Sequence, residues 1–536
     1  MEIRVWGVFL LMLYMLNFAP YLEKMRLRIA VAISFLFSSL QVLAQNTSKS
    51  TEIPAEWHHL DQTETGYFGV STKQAYSYLD SIQAKPRKVV VAVIDADLDI
   101  AHEDLKDKIW NNPNPSTEGY VNDINGWNFL GSADGQQVTK VGTESFREYK
   151  RLRSKFEGKT IDDFKKKKDR ELFTYFEAVK KDAKIGSYLR FAEMAKLTWD
   201  AFRVADSLVS VNQLPANATL ADVTKIEVKD SVAKEYYDAA MRSLWKYNES
   251  ASWKEVLADQ ENEYNLVLNR IKSLDDPSSP RDIIGDDLSS LKDKYYGNSN
   301  LYDSTSYHGT FVSGIIGAAR GNGIGINGIA DQVEIMGIRA VPDGDEYDKD
   351  VALAVRYAVD NGADIINMSF GKYFSPESKW VQKAMNYAMK KDVLIVHAAG
   401  NNKKNIDSVV MYPTLPNNYK KRNSFIRVGA TDASGDIASF SNYGPTQVDL
   451  FAPGMTIYST NINNTYSKAN GTSFSAPVVA GVAALVWSYF PDYSAKELKE
   501  ILLKSVVTDP GQKLKEKSIS GGIINANKAV RIANEG

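Results

Sequence analysis

The 536-residue sequence contains no cysteine. That excludes disulfides, a thiol nucleophile, thiolate metal sites and a lipid-anchored N-terminal cysteine. Histidine is scarce as well: His58, His59, His102, His308 and His397 are the whole set, so chemistry that needs an imidazole has few candidates. An excess of one charge sign is also missing. With 64 basic against 66 acidic residues the formal charge is −2, which builds no field that would steer the protein to nucleic acid or to an acidic surface. After the N-terminal region, no segment reads as transmembrane.

What is present at the N-terminus is a pair of apolar runs, Val5–Leu16 and Ile29–Leu43. The second follows Met25-Arg-Leu-Arg and ends in Val-Leu-Ala-Gln. A basic start, an apolar stretch and small residues before a cut near Ala44 form a secretory signal. Residues 1–45 are therefore expected to be a targeting segment, with Met25 as the initiator and residues 1–24 upstream of it. The competing reading, two short membrane anchors, suffers because each run is shorter than the ~20 residues a spanning helix needs. No stable membrane span is expected once the signal is removed, and the location is secreted or periplasmic.

The run Lys88–Ile94, KVVVAVI, is apolar throughout and valine-rich, the pattern of a parallel strand buried on both faces. Similar runs recur at Glu334–Ile338, Asp364–Met368, Val393–Ala398, Phe425–Ala430 and Val448–Phe451. Residues 348–361 and 377–391 carry apolar positions three to four apart and read as helices between them. This alternation predicts an α/β fold around a mostly parallel sheet. Ligand and catalytic sites of such sheets form at the carboxyl ends of the strands, and Asp95 stands at one.

Between residues 140 and 275 the character changes to Lys- and Glu-rich sequence with apolar stripes at helical spacing. Phe146, Tyr149, Leu152 and Phe156 mark one stripe, and Leu172, Phe173, Phe176 and Val179 another. This is a helical insertion, with a loop near residue 215 and an exit linker at 274–282. The basic run Lys165–Lys168 reads as a solvated helix face.

Three strings carry candidate chemistry. In NGTSFSAPVVAGVAALVWSYF (470–490), Ser473 precedes a stretch apolar on all sides, which must be a central buried helix. Its unpaired N-terminal N–H groups suit a developing negative charge, and Pro477 is expected in the first turn, where its missing donor would be unpaired anyway. In SYHGTFVSGIIGA (306–318), His308 precedes another apolar helix whose Gly314 and Gly317 permit close packing. In VVVAVIDADLDIAHEDL (89–105), Asp95 ends a strand. Each alone has a structural alternative: a buried helix start, a packed or capping histidine, a carboxylate that caps the next turn.

Together, and in this order, the three strings resemble the subtilisin-like serine proteases. The resemblance covers about Trp57–Phe129 and Asp303–Ile532 and extends to NMSFG (367–371), HAAGNN (397–402), SFSNYGP (439–445), DLFAPG (449–454) and GGIINANKAV (521–530). It implies a three-layer subtilisin-like α/β fold, with the first part of the catalytic domain at 46–139, the helical insertion at 140–275 and the second part at 276–536. It also implies that Ser473 is the nucleophile, His308 the general base and Asp95 its orienting carboxylate. Asn401 matches the family's side-chain donor to the oxyanion. Ser369, Phe370 and Gly371 match the segment that pairs with an extended substrate, although Phe370 reads equally well as a core residue. Ala398, Ala399 and Gly400 match the floor of the pocket for the side chain before the cut. The implied activity is serine endopeptidase hydrolysis of protein or peptide substrates, with no organic cofactor and no nucleic acid partner. Family members often carry structural calcium; no ligand set can be matched to it here.

The chain departs from the family in four places. Asp97 stands where glycine is usual, bringing a second carboxylate close to Asp95 that is expected to shift the acid limb of the pH profile. Phe311 replaces the second histidine of the family's HGTH and is expected to alter packing. His308 follows Asp95 by 213 positions, most of them in the insertion, whose role stays open between shaping substrate access, replacing a folding aid and passive decoration. The stretch before the first core strand is too short for the usual inhibitory prosegment. His58 and His59 lack acidic or sulfur partners at metal spacing and are expected at the surface, while His397 is expected to be a packed strand residue. The rival readings are a non-catalytic scaffold of the same fold and, more distantly, an esterase or transpeptidase using the same acyl-enzyme chemistry.

Overall fold

The computed structural model describes residues 53–276, 278–415, 423–508 and 511–536, so the expected targeting segment lies outside the described residues. From Ala55 onward the chain forms one compact unit. Its centre is a seven-stranded sheet of β1 (Val89–Asp95), β2 (Gly126–Asn128), β3 (Val333–Arg339), β4 (Ile365–Met368), β5 (Leu394–Ala398), β6 (Phe425–Thr431) and β7 (Leu450–Pro453). The strand order is β2-β3-β1-β4-β5-β6-β7, and every neighbouring pair is parallel. Each of the six apolar runs forms a strand, with ends shifted by at most one or two residues. Two further features carry no buried-strand signal. These are β2, only Gly-Trp-Asn, and the antiparallel pair β8 (Ile457–Asn461) and β9 (Thr465–Ala469).

Nine helices matter here: α1 (Glu144–Phe156), α2 (Lys167–Asp182), α3 (Ile185–Val211), α4 (Ser231–Arg242), α5 (Trp253–Lys272), α6 (His308–Gly317), α7 (Asp348–Asp360), α8 (Ser378–Lys390) and α9 (Thr472–Tyr489). Strand side chains alternate between faces. Ala92, Ile94, Met336, Ile338, Ile366, Met368 and Ile395 share one apolar cluster with α7 and α8. The intervening Val91, Val93, Ile335, Ile365, Leu394 and Val396 are also buried and face the other way, where α9 packs against β1 and β4 to β7, and α6 against β1 and β3. Burial on both faces is why these strands read as unbroken apolar runs. By length and composition α9 could cross a membrane, yet 89% of that window is buried in the fold; it is the central core helix.

Residues 144–272 leave the sheet as α1 to α5 and build two small cores of their own. One contains Tyr149, Leu152, Phe156, Phe173, Phe176 and Val179, with Phe146 and Leu172 half-buried at its margin, and the other gathers around Phe202, Tyr237 and Trp253. Lys165–Lys168 is exposed, as expected of a solvated face. Segment 274–282 is more than an exit linker, because Arg281 is buried and pairs with Asp350 at 2.5 Å and Asp286 at 3.1 Å. A buried guanidinium must be paired. His58 also departs from expectation: it is fully buried in a short turn of helix, its ring 4.2 Å from that of half-buried His59 and tilted to it by 42°, and burial holds its imidazole down at about 3. The indole of its neighbour Trp57 donates to the carbonyls of Met455 and Thr456, drawing the segment inward.

Candidate active site

Asp95 is the last residue of β1 and is buried. Its Oδ1 accepts from the backbone N–H of Ala96 at 2.8 Å and from His308 Nδ1 at 2.7 Å. The second contact sets the Nδ1 proton of His308 against the carboxylate and leaves Nε2 as the ring nitrogen with a lone pair to accept a proton. Burial opposes the charged imidazole, but the Asp95 carboxylate, its hydrogen bond and the more distant charge of Asp97 outweigh that and raise the pKa of His308 above its ordinary value.

His308 opens α6, and Asp97 caps that helix from another segment. Its Oδ1 accepts from Gly309 N–H at 2.9 Å and from the Ser306 hydroxyl at 3.0 Å, and its Oδ2 from the Thr310 hydroxyl at 2.6 Å. A carboxylate here satisfies orphan N–H groups and complements the helix dipole. Gly309 is required by the fit, since a Cβ at that position would stand 2.0 Å from the Asp97 carbonyl oxygen and 3.0 Å from Asp95 Cβ. Burial, followed by the charge of Asp95, raises the Asp97 pKa despite these hydrogen bonds. Phe311 is a packing residue here: its ring lies 4.5 Å from that of Phe474, which in turn lies 5.4 Å from the imidazole of His308. These rings bind the starts of α6 and α9 together.

Ser473 is the second residue of α9, after Gly471 at the N-cap. Asn401, in the loop that leaves β5, turns its Oδ1 to the helix start and accepts from Thr472 N–H and the Thr472 hydroxyl, both at 2.9 Å. The Thr472 hydroxyl accepts from Gly400 N–H at 3.0 Å. With its carbonyl oxygen committed, the amide of Asn401 has its NH2 group left to donate.

Pro477 belongs to the second turn of α9 rather than the first, a correction with a structural consequence. The carbonyl it leaves without an intrahelical donor is that of Ser473, and the Ser369 hydroxyl donates to that carbonyl at 2.7 Å. Ser369 thus joins the end of β4 to the residue expected to be the nucleophile. Phe370 packs its side chain on the core cluster of α7 and α8, and its carbonyl accepts from His397 Nε2 at 2.9 Å. His397 is fully buried in β5, and burial followed by the nearby Arg427 charge keeps it neutral. It is the packed histidine expected. Ala398, Ala399 and Gly400 are buried beside this segment.

Two contributors carry no sequence signal. Thr472 orients Asn401, and buried Arg339, at the end of β3, donates to the Ala96 carbonyl at 2.7 Å while pairing with Asp303 at 2.5 Å. Arg339 thereby fixes the turn that follows Asp95. A cleft of about 1750 Å³ also opens between α1 and the body, lined by Arg147, Arg151, Leu274, Tyr347 and Trp380, but it contains none of Asp95, His308, Asn401 and Ser473. Among the described residues no three acidic or imidazole side chains are grouped to hold a metal ion.

Asp95 and His308 are joined by a hydrogen bond at the carboxyl end of β1, and Ser473 stands in the first turn of α9, where the next residue, Phe474, lies against the His308 ring. The model of the subtilase family matches residues 86–523. The chain belongs to the subtilase family. As a subtilase it is a serine-type endopeptidase. The thermophilic serine proteinase of Bacillus sp. (strain AK1) is 42% identical over 192 residues, 35% of this chain and 45% of that relative. Subtilisin DY of Bacillus licheniformis is 33% identical over 247 residues, 44% of this chain and 85% of that relative. The chain thus spans under half the length of the first relative and most of the second. A solved protease structure from Pseudoalteromonas arctica matches with a TM-score of 0.39 and 28% identity over 46% of this subtilase and 82% of that chain.

Proposed function

We propose that this subtilase hydrolyses peptide bonds of protein substrates through an acyl-enzyme, with Ser473 as nucleophile, His308 as base and acid, and Asp95 as the orienting carboxylate. The observation that carries the reading is the 2.7 Å bond from His308 Nδ1 to Asp95, formed where α6 meets the N-terminus of α9. A serine hydroxyl is a weak nucleophile at neutral pH, so it needs a base held in the correct tautomer. His308 takes the Ser473 proton as Oγ attacks the carbonyl carbon, and returns it to the leaving amine. Water then adds to the acyl carbon as His308 takes one of its protons, and His308 passes that proton to the Ser473 oxygen as its bond to the acyl carbon breaks and the acid departs. The negative oxygen of each tetrahedral intermediate is met by the Ser473 N–H at the positive end of α9 and by the Asn401 NH2 group. Ser369, Phe370 and Gly371 pair with an extended substrate backbone, which gives affinity without sequence demand. Export to the periplasm or beyond rests on the signal-like segment that ends near Ala44.

The test is casein degradation beside labelling by a fluorophosphonate, which reports an activated serine without knowledge of substrate. Both are expected for the wild type and neither for Ser473→Ala. A folded wild type that does neither would leave the scaffold reading in place.

A further inference from the structure

The segment after β4 is held from several sides. The Ser369 hydroxyl is tied to Ser473 and the Phe370 carbonyl to His397. Lys372 exchanges both backbone bonds with Tyr412, at 3.0 and 2.8 Å. The Lys372 ammonium is buried: it donates to Glu144 Oε2 at 2.7 Å and the Glu346 carbonyl at 2.6 Å, and pairs with Asp348 at 2.9 Å. Asp348 opens α7, but Glu144 is the first residue of α1, in the helical segment.

Glu144 is itself locked in place. Its N–H donates to Asp345 at 2.7 Å, and its carboxylate pairs with Arg147 at 2.6 Å, whose guanidinium also reaches the carbonyls of Gly142 and Asp345. Burial works against the charged carboxyl, yet Lys372 and Arg147 hold it below the usual range. Next along the chain, Tyr373 donates its hydroxyl to Asn402, the neighbour of Asn401, at 2.8 Å. Phe374 joins the apolar core of α1 and α2 through Tyr175, ring centroids 5.8 Å apart. Three consecutive residues thus bond to or pack against the helical segment or the loop that carries Asn401.

We propose that the helical segment is a brace that sets the position of the substrate-pairing segment 369–371, which would become a strand on pairing with a peptide, with Glu144 and Lys372 as its positioning residues. The proposal rests on the protease reading and gives the helical segment the access-shaping role. A strand that must pair with several residues of a peptide needs its backbone held at one height and tilt along its length. Attack by Ser473 on a substrate too short to reach the strand does not need this.

The experiment uses the full protein and two substrates: a peptide extended by four residues on the acyl side of the cut, and a single-residue ester. For Glu144→Gln, kcat/KM on the extended peptide is expected to fall about ten- to a hundred-fold, mostly through KM, as for a slight misplacement of bound substrate. Ester hydrolysis and the rate of fluorophosphonate labelling are expected to stay within about twofold, because the reacting groups keep their geometry. Equal losses on both substrates, or none on either, would overturn the proposal. Should Glu144→Gln fail to fold, Tyr175→Ala, which removes the ring packed on Phe374, decides by the same criterion. A wild type that takes no label would instead overturn the protease reading itself, so the two failures are distinguishable.

Discussion

Asp97 does two things at the residue scale. It caps α6 through Gly309 and Thr310, and its charge helps to raise the pKa of His308. Catalysis by the proposed route needs a neutral imidazole, so activity is present above the raised pKa and lost as pH falls through it. Asp97→Asn removes one of the charges that favour the imidazolium while Asp95 remains. The acid limb of kcat/KM is therefore expected to move to lower pH, by less than about one unit. A pH series on the purified variant checks this, and an unmoved limb would leave Asp97 with the capping role alone. The change from glycine to aspartate was visible in the sequence, and with it the extra charge. The cap was not, because 212 positions separate Asp97 from Gly309.

At the scale of elements, α6 and its neighbours are held by close approach. A Cβ on Gly314 would stand 2.2 Å from Thr460 Oγ1 and 2.6 Å from Ser459 Oγ on β8. Those hydroxyls donate back to the carbonyls of Thr310 and Phe311 in α6, at 2.8 and 2.7 Å. Gly314→Ala is expected to push them out of line and destabilise the fold by about 1–3 kcal/mol, read as a lower unfolding midpoint, with His308 on the displaced helix. The glycine pattern of α6 announced close packing. Its partner was hidden, because the β8–β9 hairpin is partly exposed and carries no buried-strand pattern. Pro477 makes a similar point: the proline was legible, but the turn it occupies depends on where α9 begins, and the donor that satisfies the freed Ser473 carbonyl comes from the end of β4.

For the whole molecule, the question is whether residues 140–275 are decoration. They share one compact unit with the sheet, and their first helix supplies the Glu144 carboxylate to buried Lys372. Excision of 140–275 behind a short linker removes that partner, leaving buried Lys372 with Asp348 and the Glu346 carbonyl, and uncovers Phe374, so it is expected to lower the thermal midpoint. A scan of both proteins decides the matter; an unchanged midpoint after excision would make the segment passive. The sequence by itself determined the parallel α/β sheet and the helical nature of the excursion, which follow from local apolar period. Its resemblance to the subtilases singled out Asp95, His308, Ser473 and Asn401 as the candidate site residues. Only the tertiary structure decided that Asp97 caps α6, that Thr472 orients Asn401, that Ser369 serves the carbonyl of Ser473 and that Glu144 grips Lys372. Each is a polar contact between segments distant in the chain, and the pairing of buried polar groups is settled by which atoms the fold brings within about 3 Å.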